Sequence, residues 1–152
     1  MLLQFLWNTG ARVGETLKIK LTDLDLENNR IFVSNKIFKG KQEALLLIPE
    51  AVKIAEQAKE FAIQRGGNKL FSWKTTRYPN RIMERAENNL KSKKQGRGLH
   101  GFRRSFTDRL IDSGIEITDA KDILRHKDIK TTEEHYRRAD EIKLLDKMTE
   151  KL

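Results

Sequence analysis

The sequence predicts an α+β fold, mainly α-helical with a small antiparallel β-sheet whose hairpin spans about 30–49. Three observations carry that expectation. Apolar residues recur at helical spacing along most of the chain. β-Formers concentrate in two short runs, Arg30–Phe38 and Ala44–Pro49. Between those runs lies a short, basic, glycine-containing link, Lys39-Gly40-Lys41-Gln42-Glu43.

Each element follows from local pattern. Met1–Lys20 reads as helical with a break at Thr9-Gly10, because Leu2, Leu3, Phe5, Leu6, Val13, Leu17 and Ile19 lie mostly on one side. Leu21–Arg30 carries Asp23, Asp25, Asn28 and Asn29, a turn-rich composition. The hairpin follows. Pro49 then suits the first turn of a helix over Glu50–Arg65, which Gly66-Gly67 ends. Leu70-Phe71-Ser72-Trp73 is short and apolar and is expected to dock a loop on the core, and Tyr78 falls in the loop before Pro79. Helices are expected over Pro79–Lys93 and Gly98–Ser113, with Ser92–Gly98 a basic connection and Gly114 a stop. Thr118 is a candidate N-cap for the next helix. Thr131–Ala139 and an amphipathic segment, Asp140–Leu152, complete the chain.

At 152 residues the chain is long enough for one domain with its own core. No apolar run reaches the length needed to cross a bilayer, and the apolar start lacks a basic leader and a cleavage site. The absence of cysteine removes disulfides and thiolate metal sites and is compatible with the cytosol. A net charge of +9 favours a polyanionic partner, nucleic acid above all. The positive charge clusters in Lys36–Lys41, Lys91–Arg97 and Arg103-Arg104, runs that suit a phosphate backbone.

Five residues stand in short motifs that would suit chemistry on a phosphodiester. Phosphodiester cleavage builds negative charge on the nonbridging oxygens, and the planar, permanently charged guanidinium fork suits that charge. Arg12 stands in Thr9-Gly10-Ala11-Arg12-Val13-Gly14-Glu15, and Arg103 in His100-Gly101-Phe102-Arg103, whose spacing puts His100 and Arg103 on one face of a helical turn. His126 follows Leu124-Arg125, and Tyr136 follows Thr131-Thr132-Glu133-Glu134-His135. A tyrosine phenol titrates near ~10 and needs a base or cationic surroundings to attack.

These boxes, in this order, resemble the active site of the tyrosine recombinase (phage integrase) family. The resemblance covers nearly the whole chain, from Trp7 to about Ala139. It implies a catalytic core of the DNA breaking-rejoining type and a site-specific recombinase or integrase working on double-stranded DNA. In that reading Tyr136 attacks the scissile phosphate to give a 3′-phosphotyrosyl link. Arg12, Arg103 and His126 bind the phosphate, and His100 moves a proton to or from the tyrosine oxygen. A hairpin lysine protonates the leaving 5′ oxygen. Lys39 is taken as that lysine, since Lys39-Gly40 most resembles the family's turn; counting from the start of the first strand favours Lys36 instead, and Lys41 is the third candidate. Glu15 is expected to support Arg12 or the start of the helix, not the reaction. Arg125 replaces the family's glycine, so either the backbone there is less constrained or the arginine tolerates the turn and adds a phosphate contact.

No cofactor and no metal are implied. The family's further helix ahead of the Arg12 box and its N-terminal clamp domain have no counterpart here, so residues 1–152 are expected to be the catalytic domain of a longer protein. Self-association on DNA, as a tetrameric synapse of the full-length protein in a prokaryotic cytoplasm, is also implied. Two other functions fit less closely: a type IB topoisomerase-like relaxation of supercoils, and a DNA-binding fragment without turnover. The carboxylates form no metal-binding box, which argues against a metal hydrolase.

Overall fold

The computed structural model describes residues 1–38, 41–89 and 98–125. The chain divides into two compact units, one from Met1 to Arg109 and a second beginning at Leu110.

The first unit opens with α1 (Leu2–Thr9), which buries Leu2, Phe5 and Leu6. Gly10 ends it in the left-handed region, at φ 59° and ψ 16°, where a residue without Cβ meets no steric penalty. The predicted helix across Met1–Lys20 is therefore broken where expected, but its second half is shorter. Only α2 (Val13–Thr16) is helical. The Thr16 hydroxyl donates back to the Arg12 carbonyl at 3.1 Å, and the chain then leaves the helix. The Ile19 carbonyl accepts from the Leu70 N–H at 3.0 Å, and Leu21 N–H donates to Asn68 at 2.9 Å. That pairing draws Leu17–Ile19 out of the helix their apolar spacing predicts.

A short strand unseen in the sequence, β1 (Leu24–Asp25), starts a three-stranded antiparallel sheet of order β1-β2-β3. Its partner β2 (Arg30–Phe38) has the predicted bounds, whereas β3 (Lys41–Leu46) begins and ends three residues earlier than the apolar run alone indicates. Pairing with β2, rather than hydrophobicity, draws Lys41–Glu43 into the ladder, so only positions 39–40 separate the strands. Ile31 opposes Leu45 and Phe32 opposes Ala44, but the register then shifts. Before the next pair, Ile37 with Gln42, β2 carries Val33, Ser34, Asn35 and Lys36 where β3 carries Glu43. The hairpin is thus bulged in the stretch that contains Lys36.

Pro49 begins α3 (Pro49–Gln64), as its fixed φ and missing N–H allow at a first helical turn. Ala51, Ala55, Ala58 and Ala62 form its buried stripe, and the small side chains let α3 pack against α1. Leu70 and Phe71 are buried, with the Phe71 ring 5.4 Å from Phe5, so this loop docks on the core as expected. The core joins α1, the sheet, α3 and this loop through Phe5, Leu6, Ile31, Leu45, Ala55 and Leu70.

Next comes α4 (Arg77–Asn89), which starts two residues before the predicted Pro79. Proline is tolerated throughout a first turn, where its missing N–H has no helical acceptor. Tyr78 is therefore helical rather than in a loop, and its ring stacks on Trp73 at 4.8 Å. The next helix, α5 (His100–Asp112), matches expectation closely.

In the second unit, Gly114 at φ 88° stops α5, with Gly114 N–H bonded to Ile111 and Ile115 N–H to Leu110. That is a Schellman closure. Helix α6 (Ile117–Leu124) restarts immediately, so its N-cap is Glu116 and Thr118 lies inside the first turn. Arg125 closes α6 at φ 55° and ψ 46°. The predicted helix over Thr131–Ala139, the tail Asp140–Leu152 and most of the connection Ser92–Gly98 lie outside the described residues.

Candidate active site

The first arginine box is built on a helix that is made to stop. Thr9 is buried, its hydroxyl donates to the Phe5 carbonyl at 2.7 Å, and it accepts the Ala11 N–H at 3.2 Å. That second bond gives Ala11 a partner outside the helical ladder, and Gly10 makes the turn. Arg12 then stands at the N-cap of α2 in extended conformation, φ −70° and ψ 127°. Its Nη1 donates to Glu15 Oε1 at 3.0 Å, and both side chains are part-exposed. Of the two expected roles, support of Arg12 or of the helix start, Glu15 takes the first, at the i,i+3 spacing that lets the two side chains meet. In an exposed pair such an interaction orients more than it stabilises.

The second box arrives on α5. His100 opens the helix and is exposed, whereas Arg103 is only 3% exposed. The two share a helical turn but not an environment. Arg103 therefore cannot serve as one more surface cation of the Arg103-Arg104 cluster, and Arg104 alone is exposed there. Arg103 Nη1 donates to the Gly10 carbonyl at 2.8 Å. Residues 93 positions apart in the chain are joined by that bond, which brings the His100-Gly101-Phe102-Arg103 box onto the box containing Arg12. A buried guanidinium needs such partners, because an unpaired buried charge is expensive.

The break at Thr9-Gly10 was expected, and the Thr9 hydroxyl is what makes it. Sequence reasoning missed two members of this neighbourhood, Trp7 and Arg109: the Arg109 guanidinium lies 4.2 Å from the Trp7 ring centroid and 5.3 Å from that of Phe106, and its Nη2 donates to the Trp7 carbonyl. Burial pushes the Arg109 guanidinium below its ordinary range. The available signal was a cation at the seventh position after Phe102, on the same face as Phe102 and Phe106.

Lys39, His126 and Tyr136 lie outside the described residues. Lys36 and Lys41 are placed only by their backbone, in β2 and β3. Among the described residues no group of three or more His, Asp or Glu could hold a metal ion, and no helix is long and apolar enough to cross a membrane.

A mainly helical core with a small antiparallel sheet, and two arginine boxes locked together at a helix break, defines the tyrosine recombinase catalytic fold. The family model described as Phage integrase family matches residues 1–142, and the chain belongs to that family. Tyrosine recombinase XerA of Saccharolobus solfataricus is 32% identical over 136 residues, covering 88% of this chain and 43% of the relative. Tyrosine recombinase XerA of Thermococcus kodakarensis is 26% identical over 163 residues, covering 97% and 56%. Among solved structures, the pre-cleavage complex of XerH site-specific recombinase bound to difH substrate superposes with a TM-score of 0.69 at 25% identity, covering 87% of this chain and 40% of that one. The crystal structure of XerA recombinase gives 0.70 at 24% identity, covering 86% and 49%. The chain spans about half the length of the curated relatives it matches.

Proposed function

We propose that residues 1–152 form the catalytic domain of a site-specific DNA recombinase that cuts and rejoins double-stranded DNA through a 3′-phosphotyrosyl intermediate. The observation that carries this reading is the buried bond from Arg103 to the Gly10 carbonyl, which unites two arginine boxes distant in sequence. The XerH complexes, pre-cleavage and post-cleavage on difH substrates, support a DNA substrate. The relatives' names, recombinases and integrases, favour strand exchange over supercoil relaxation.

In this mechanism the Tyr136 oxygen attacks phosphorus and the bond from phosphorus to the 5′ oxygen breaks. The phenol proton passes to His100, and Lys39 protonates the departing 5′ oxygen. The 5′ hydroxyl of a partner strand then attacks the phosphotyrosine, and the same proton transfers run backwards. Bond energy is kept in the ester, so no nucleotide is consumed, and the arginines supply the charge stabilisation that a metal would otherwise give. Arg12, Arg103 and His126 stabilise the charge that develops on the nonbridging oxygens. Exposure of Arg12 and burial of Arg103 support a division of labour: Arg12 meets the incoming phosphate, and Arg103 anchors the site from within. Assembly on DNA as a tetramer, in a prokaryotic cytoplasm, belongs to the same proposal.

The test is a nicked suicide substrate carrying the native site, incubated with the chain in excess EDTA. A covalent protein–DNA band should form, vanish in Tyr136→Phe and survive in Tyr78→Phe. Strict dependence on magnesium, or an adduct that persists in Tyr136→Phe, overturns the proposal.

A further inference from the structure

The two boxes meet at the last turn of α1, and a second arginine of α5 ends there. Continued helix would bond the Ala11 N–H to the Trp7 carbonyl. Thr9 Oγ1 takes that N–H instead, at 3.2 Å. The Trp7 carbonyl, at the negative end of the helix, receives Arg109 Nη2. The same guanidinium lies on the indole, 4.2 Å from its centroid, and Phe102 meets that indole edge-on at 6.3 Å and 85°. Phe102, Phe106 and Arg109 share one face of α5, and Arg103 beside Phe102 reaches the Gly10 carbonyl. Two consecutive turns of α5 are therefore tied to two carbonyls of the same helix end. Trp7 remains 41% exposed, so directional contacts rather than burial hold it.

We infer that Trp7 and Arg109 are positioning residues for the phosphate-binding arginines: they fix how α5 sits on the end of α1 and so set Arg103 against the Arg12 box. Neither touches the reacting phosphate. The inference rests on the recombinase reading of Arg12 and Arg103.

The full chain is used, with Arg109→Gln, Arg109→Lys, Trp7→Leu and the Trp7→Leu/Arg109→Gln double variant, all below their melting temperatures. At saturating DNA, Arg109→Gln and Trp7→Leu should form the suicide-substrate adduct about ten- to a hundredfold more slowly, the scale of a catalytic group displaced by a fraction of an ångström to an ångström. Noncovalent DNA affinity should be unchanged. The double variant should be slowed by less than the product of the two single effects, because both singles remove the guanidinium–indole contact. Arg109→Lys keeps the cation but not the plane that lies on the indole, so it should recover part of the rate. If Arg109→Gln fails to fold, Trp7→Leu, altered at a part-exposed ring, carries the same comparison. A wild-type rate in either folded single variant, or a loss confined to affinity, overturns the inference. A second readout is independent of cleavage: the Arg103 guanidinium N–H signals in NMR should be protected in wild type and lose protection in Arg109→Gln. Retained protection overturns the positioning role. If wild-type protein binds DNA but forms no adduct, the recombinase reading fails, while the Arg103 signals still decide whether Arg109 holds it.

Discussion

Thr9→Val replaces a hydroxyl by a methyl of nearly the same shape, at a position 1% exposed. Two bonds disappear: the hydroxyl's donation to the Phe5 carbonyl at 2.7 Å and its acceptance of the Ala11 N–H at 3.2 Å. The Phe5 carbonyl keeps its place in the helical ladder, so its loss is one net hydrogen bond, about 1 kcal/mol. The Ala11 N–H sits in a buried residue and loses its partner, which adds about 1–2 kcal/mol. A destabilisation of about 2–3 kcal/mol follows, equivalent to a fall in Tm of roughly 4–12 °C for a chain of this size. Thr9→Ser keeps the oxygen and loses only a methyl, about 0.8 kcal/mol of burial. Calorimetry of the three proteins checks the ordering, wild type above Thr9→Ser above Thr9→Val. If Thr9→Ser is the less stable variant, methyl packing and not the hydroxyl holds the end of α1, and the account of the helix stop is wrong. The stranded N–H has one nearby remedy, the Trp7 carbonyl. Taking it would lengthen α1 and compete with Arg109, so Thr9→Val should also slow adduct formation at saturating DNA.

Three other outcomes follow from single residues. Arg125 holds φ 55°, a region that costs a residue with Cβ about 1–2 kcal/mol, of which glycine's extra freedom in the unfolded chain offsets about 0.5–1 kcal/mol. Arg125→Gly should therefore raise the urea midpoint slightly, and a lower midpoint would show that the arginine side chain contributes more than the turn costs. The hydrogen bond from Arg30 at 2.6 Å, then that from Asn28, holds the Asp25 carboxyl below its ordinary value of 3.8. A depressed carboxyl stabilises the fold above its unfolded pKa and stops doing so as pH falls through the folded one. The stability gap between wild type and Asp25→Asn should thus be constant at neutral pH and close below about pH 3.8; a gap that widens in acid contradicts the pairing. Finally, Lys39→Ala should cleave ordinary DNA at least ~10²-fold more slowly yet cut a bridging 5′-phosphorothiolate almost normally, because sulfur leaves without protonation. If that rescue appears at Lys36→Ala or Lys41→Ala instead, the general acid is that lysine.

Much of this fold was legible because its elements are local. Pro49, the alanine stripe of α3 and Gly66 fix one helix by themselves, and Gly114 ends another. What sequence pattern missed depends on partners distant in the chain. β1 exists because Leu24 and Asp25 pair with Ile31 and Arg30, and two residues carry no period to detect. Leu17–Ile19 look helical until Leu70 claims the Ile19 carbonyl. The Arg12 and Arg103 boxes were recognisable as residues, and so was the Arg12–Glu15 pair. Burial of Arg103 beside an exposed His100 was not, since helical spacing gives a shared face and says nothing of what covers it. Spacing puts Arg109 on the face of Phe102 and Phe106 but does not show that it completes the end of α1, because that bond spans 102 residues. The glycine missing at Arg125 was visible in the sequence, and its conformational consequence, a left-handed residue at the end of α6, is a property of the turn.

Peptide mapping of the adduct shows whether Tyr136, as proposed, forms the covalent link to DNA. Wild-type chain trapped on a suicide substrate in EDTA is digested with protease and nuclease, and the modified peptide is sequenced by mass spectrometry. One modified peptide is expected, containing Thr131–Arg137, with a nucleotide 3′-phosphate on the Tyr136 oxygen and a free 5′ hydroxyl on the released strand. A modified Tyr78, a serine or histidine adduct, or a 5′-phosphate on the released strand would contradict it.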